Sequence, residues 1–93
     1  MLNKYELVFI IDPKVEDKQP VIAKVQDLIN TAGKVESVDE WGNRRLAYEI
    51  KKNTEGYYVL VNFEAEPSFI DELERVLNIT TEVLKFIVIN KED

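Results

Sequence analysis

An α+β fold with the element order β-α-β-β-α-β is predicted by three features of this chain. Segments near residues 5–11, 57–65 and 83–90 alternate in polarity or run apolar, as strands do. Segments near residues 21–32 and 70–77 place apolar side chains at helical spacing. The turn-forming pairs Asp12-Pro13 and Pro67-Ser68, with Gly33 and Gly56, fall between those segments. Ninety-three residues, 45% of them hydrophobic, predict one domain spanning 1–93 with a single core that needs no disulfide or metal.

The first strand is Tyr5 to Ile11, with Leu7, Phe9 and Ile11 on one face and Glu6, Val8 and Ile10 on the other. Asp12-Pro13 ends it. Asp17 is the expected N-cap of the first helix, which puts Pro20 in the first turn, where a missing N–H is harmless. Val21, Ile22, Val25, Leu28, Ile29 and Ala32 form the apolar stripe, and Gly33 is expected to stop the helix. A long second strand runs from about Val35 to Lys52, broken by a bulge near Gly42. Asn53-Thr54-Glu55-Gly56 is read as the hairpin turn, and Tyr57 to Ala65 as the third strand. The second helix opens at Pro67-Ser68, with Ser68 as N-cap and Asp71 at the capping-box position. Ile70, Leu73, Val76 and Leu77 line its buried side, and the last strand is Val83 to Asn90.

This order is the split-βαβ, ferredoxin-like plan: a four-stranded antiparallel sheet with two helices on one face. The plan hosts many functions and names none. It does leave one sheet face without a helix. Placing Leu7, Phe9, Val59, Val61, Phe63, Phe86 and Val88 under the helices leaves Val8, Ile10, Tyr58, Leu60, Ile87 and Ile89 outside. Six apolar side chains on adjoining strands exceed an ordinary solvated patch and point to a protein partner, with shielding by long neighbours such as Lys85 or self-association as the competing readings. Base stacking on Tyr58 has less support, because the paired aromatics and glycines of RNA-recognition sheets are missing.

Composition removes whole classes of chemistry. The chain has no cysteine and no histidine, which excludes thiolate or imidazole metal sites and histidine-dependent catalysis. Its three glycines stand at expected turns or bends and build no phosphate loop. Glu64, Glu66, Asp71, Glu72 and Glu74 fall at a strand end and on the first turns of a helix, where negative charge suits the helix dipole. No enzyme, cofactor, metal or small-molecule substrate is therefore expected. No apolar run is long enough to span a membrane and the first residues do not read as a signal peptide, so a cytoplasmic location is expected.

A net charge of −6 opposes non-specific binding to nucleic acid, so RNA contact requires a local basic patch. The candidates are Lys4, Arg44 with Arg45, Lys51 with Lys52, and Lys85. The segment Trp41-Gly42-Asn43-Arg44-Arg45-Leu46-Ala47-Tyr48-Glu49-Ile50 is the most informative of these. Two guanidiniums at the start of a strand read as a cationic fork suited to phosphate or carboxylate, and Trp41 beside a glycine reads as a contact residue. A β-bulge carrying solvated arginines is the competing reading.

With Tyr5-Glu6, Asp12-Pro13, Gly33, Gly56-Tyr57, Glu72-Leu73-Glu74-Arg75 and Val83-Leu84-Lys85-Phe86 added, the chain resembles the family of the sixth protein of the bacterial small ribosomal subunit over its whole length. The resemblance implies a non-catalytic ribosomal component. It implies pairing with the eighteenth small-subunit protein, the pair binding the central domain of the small-subunit ribosomal RNA during assembly. It makes Val8, Ile10, Tyr58, Leu60, Ile87, Ile89 and Trp41 the expected partner-facing residues, and Arg44, Arg45, Lys85 and Lys4 the expected RNA contacts. Asn43 departs from the family's usual basic residue, Glu49 from proline and Lys85 from arginine. The acidic balance and a tail ending at Asp93 predict weak RNA binding by this protein alone. Two alternatives stay open: a small-molecule-binding regulatory domain of ACT type, and binding of the same heterodimer to a messenger leader.

Overall fold

The computed structural model describes residues 2–91, so the expectation about a tail ending at Asp93 falls outside the described residues. The elements are β1 (Asn3–Ile11), α1 (Gln19–Asn30), β2 (Gly33–Ile50), β3 (Asn53–Ala65), α2 (Phe69–Ile79) and β4 (Val83–Asn90). All strand pairings are antiparallel, in the order β2-β3-β1-β4. The ferredoxin-like α+β prediction holds, and β4 has the predicted bounds.

Alternation on the two central strands builds the core. Leu7, Phe9 and Ile11 of β1 and Val59, Val61 and Phe63 of β3 are completely buried on the helix side. Val21, Ile22, Val25 and Ile29 of α1, with Phe69, Leu73 and Leu77 of α2, close over them. Each such side chain contributes on the order of 1.5–3 kcal/mol on leaving water. Tyr5 and Phe63 stack with ring centroids 5.5 Å apart.

Several local expectations give way to particular hydrogen bonds. Asp17 lies one residue before the N-cap, which is Lys18, yet its Oδ1 accepts the Gln19 N–H at 3.1 Å. Ser68 is the N-cap of α2 but its side chain makes no capping bond, so the predicted capping box does not form. α1 ends at Asn30, whose Oδ1 accepts the Val35 N–H at 3.1 Å, and Gly33 opens β2 instead of capping the helix. Gly33 is required for another reason. A Cβ there would collide with the Glu64 carbonyl oxygen on the neighbouring strand.

The β2–β3 hairpin also turns earlier than its glycine suggests. Its tip is Lys51-Lys52, both with left-handed backbone (φ 48° and 66°), while Asn53 already pairs with Ile50. Asn53 is buried and its Nδ2 donates to the Lys51 carbonyl at 3.3 Å. Gly56 is therefore a strand residue opposite Arg44, not a turn glycine. The predicted bulge near Gly42 is present: the register slips between Glu40 and Gly42, leaving Trp41 as the extra residue, and Gly42 has φ 81°.

Candidate partner and RNA interface

The strand register arranges the uncovered sheet face in rungs. Ile87, Val8 and Leu60 lie side by side across β4, β1 and β3. The next rung towards the hairpin is Lys85, Ile10 and Tyr58, with Gly42 beyond. The rung on the other side is Ile89, Glu6, Asn62 and Ser37. The predicted stripe is thus one face, but it is apolar only in its middle and lower rungs. The upper end is polar: Lys91 Nζ donates to Asn62 Oδ1 at 3.0 Å, and Asn62 Nδ2 donates to Ser37 Oγ at 3.0 Å.

Ile87 and Ile89 stand open, at 53% and 44% exposure, while Val8, Tyr58 and Leu60 are half-buried by their neighbours. Ile10 differs. It is on this face but only 7% exposed, because the hairpin bends back over the end of the sheet. Leu46, buried at 8% exposure, and Tyr48 share a small cleft with Ile10, Tyr58 and Lys85. Lys85 Nζ donates to the Tyr48 hydroxyl at 3.1 Å and lies 5.5 Å from its ring centroid. One edge strand is thereby tied to the hairpin of the opposite edge. An open hollow of about 160 Å³ remains between Val8, Ile10, Lys85, Phe86 and Ile87.

Trp41 is 41% exposed and lies against this face, stacked on Tyr58 with centroids 6.3 Å apart and planes at 13°. Its Nε1 donates to Asp39 Oδ2 at 3.2 Å, and the Arg44 guanidinium lies 5.7 Å from its ring. A cation over an exposed ring is worth about 0.5–1 kcal/mol, enough to orient the arginine. Arg45 points the other way. Consecutive strand residues face opposite sides, and Arg44 pairs with Gly56 while Arg45 pairs with Glu55. The two arginines therefore do not form the predicted fork. Arg44 and Lys85 share the hairpin end of the open face, whereas Lys4 lies six residues up β1 from Ile10, about 20 Å away along the strand.

On the helix side, Glu40 Oε1 accepts the Tyr57 hydroxyl at 2.6 Å and Gln19 Nε2 at 3.0 Å. The hydrogen bond to Glu40, then burial and the carboxylate's charge, raise the Tyr57 pKa above its ordinary value. This cluster ties the start of α1 to the hairpin and plays no part in the open face. Sequence reasoning missed Leu46 and Tyr48 as cover for Ile10; their alternation was visible, but the bend that carries them over β1 depends on Gly56 and on two left-handed lysines. No group of His, Cys, Asp or Glu able to hold a metal occurs among the described residues, and no helix there is long and apolar enough to cross a membrane.

These features define a binding domain: a covered core, an uncovered apolar sheet face, and cations held at one end of it. The model of the ribosomal protein S6 family matches residues 4–90. The small ribosomal subunit protein bS6 of Alkaliphilus oremlandii is 48% identical over 98% of this chain and 99% of its own length. That of Micrococcus luteus is 39% identical over 99% of this chain and 94% of its own. The crystal structure of 30S ribosomal protein S6 from Thermotoga maritima superposes with a TM-score of 0.91 at 32% identity, covering 98% of this chain and 89% of that one. The chain belongs to the ribosomal protein S6 family, and is thus a structural, non-enzymatic protein of the small ribosomal subunit, in the cytoplasm. Membership in that family displaces the ACT-type alternative.

Proposed function

We propose that this protein pairs through its open sheet face with the eighteenth small-subunit protein, and that the pair binds the central domain of the small-subunit ribosomal RNA. The observation that carries the reading is the apolar patch of Ile87, Val8, Leu60 and Tyr58, flanked by Ile89 and Trp41, on a face that no helix covers. Covering it releases water at about 25 cal/mol per Å², against which the entropy lost on association must be set. Ile10 takes part indirectly in this reading, as the floor beneath Leu46.

RNA contact falls to Arg44 and Lys85 at the hairpin end, with Arg45 on the other side of the ribbon and Lys4 at the far end of β1. A chain of net charge −6 does not hold phosphate well alone, so binding is cooperative, with the partner supplying much of the charge. The test is binding to a central-domain RNA fragment across a salt series, with and without the eighteenth protein. Binding that needs both proteins and fails with Leu60→Glu or Ile87→Glu supports the reading. Tight binding by this chain alone, or pairing indifferent to both substitutions, overturns it.

A further inference from the structure

We infer that the hairpin tip and β4 form a phosphate-binding cleft for ribosomal RNA, with Lys51 and Lys85 as its cations. The inference rests on the RNA-binding reading above and adds to it a site and a residue, Lys51.

Three independent observations converge there. The first is shape. An open cleft of about 340 Å³ runs between Lys51 on the hairpin and Asn78, Val83, Leu84, Lys85 and Phe86 on the α2–β4 side. Two lysines from elements distant in sequence line the same space. Lys85 is not free to wander, since the Tyr48 hydroxyl and ring hold it in place.

The second observation is backbone strain. Lys51 and Lys52 adopt φ 48° and 66°. A two-residue hairpin with both central residues left-handed selects Asn-Gly, and a lysine Cβ is strained in that conformation. Strain held at an exposed tip points to a use for the side chain. The turn sets Lys51 against the cleft, where the relaxed Asn-Gly pair would bring no charge.

The third is charge. In a chain with 18 acidic and 12 basic residues, the hairpin segment 43–56 reverses the balance: Arg44, Arg45, Lys51 and Lys52 against Glu49 and Glu55. Lys85 adds to the same pole. The carboxyl end of α2 also borders the cleft and brings roughly half a negative charge, which two ammonium groups outweigh. An open, cationic, weakly enclosing cleft suits a phosphodiester along a polymer better than a small free anion.

The test uses the full chain with its partner protein and the central-domain RNA fragment. Lys51→Gln and Lys51→Gly each remove the charge; the second also relieves the backbone. Both are expected to lower the slope of log K against log salt by about 0.7–0.9, the loss of one phosphate contact, while Lys51→Arg keeps the slope. Pairing with the partner in the absence of RNA stays unchanged, and Lys51→Gly melts no lower than the wild type. A wild-type slope in both charge-removing variants, with Arg44→Ala still lowering it, overturns the cleft and leaves the RNA reading standing. Weakened pairing without RNA overturns the cleft by assigning Lys51 to a protein interface. A wild-type pair that fails to bind the RNA, or binds equally to free phosphate, overturns both.

Discussion

Ile10 occupies the space that a side chain on Gly56 would need. A Cβ built on Gly56 would collide with Ile10 Cγ2 and meet Leu46 Cδ2 at 3.4 Å. The glycine thus lets the hairpin lie flat against β1 and lets Leu46 close over Ile10. Gly56→Ala is expected to destabilise the fold by about 1–3 kcal/mol, as overpacking does. Chemical denaturation reads the loss. Ile10→Val in the same chain should recover part of it, a non-additivity expected only if the two residues share the space.

The other two glycines separate conformational freedom from close approach. Gly42 has φ 81° and open space where a Cβ would stand, so Gly42→Ala should cost only the left-handed penalty, about 1–2 kcal/mol. Gly33 has no such φ, but its Cβ would strike the Glu64 carbonyl and Ala65. Gly33→Ala must therefore separate β2 from β3 at that end and should be the more damaging. Equal losses in urea unfolding would refute the distinction.

The Tyr57–Glu40 pair predicts a pH dependence. Because the folded-state pKa of Tyr57 is raised, its contribution is fully present below the unfolded tyrosine value of about 10 and is lost as pH rises through the folded value. The stability gap between wild type and Tyr57→Phe should therefore be constant near neutrality and narrow above about pH 10. A gap that widens with alkalinity would contradict the sign.

Trp41 is the single tryptophan and stands on the proposed partner face. Its emission should shift to the blue and become less quenchable by acrylamide when the partner protein is added. Arg44→Ala should leave the free protein's stability within about 1 kcal/mol, since an exposed cation–π contact is worth no more. Emission indifferent to the partner would remove Trp41 from the interface.

The helix-covered core was legible because alternation in Leu7, Phe9 and Ile11 and the stripe of Val21, Val25 and Ile29 report burial directly. The hairpin was not. Gly56 carries the usual sign of a turn, yet it is needed for contact with Ile10, and nothing local marks Lys51-Lys52 as left-handed. That single displacement hid the cover over Ile10 and the placement of Lys51. Arg44-Arg45 was misjudged as a fork for a simpler reason, since strand alternation alone sends the two apart. At the helix starts, Asp17 binds its backbone one residue early and Ser68 leaves its hydroxyl out of the cap altogether.

The strand order has a consequence for how this chain is made. β1 precedes β2, β3 and β4 in the chain yet lies in the interior of the sheet, with Tyr5 opposite Asn90 of β4. At about 5–20 residues per second, β1 waits on the order of 4–15 s for β4 to emerge. Until then one edge of the central strand is bare and the core under Phe86 and Val88 is open. Elements built from local contacts, such as α1, can form early, but the sheet closes only when the two strands most distant in sequence, β1 and β4, have paired. A variant weakening β4 should accordingly lower the yield of folded protein during synthesis by more than its equilibrium stability implies.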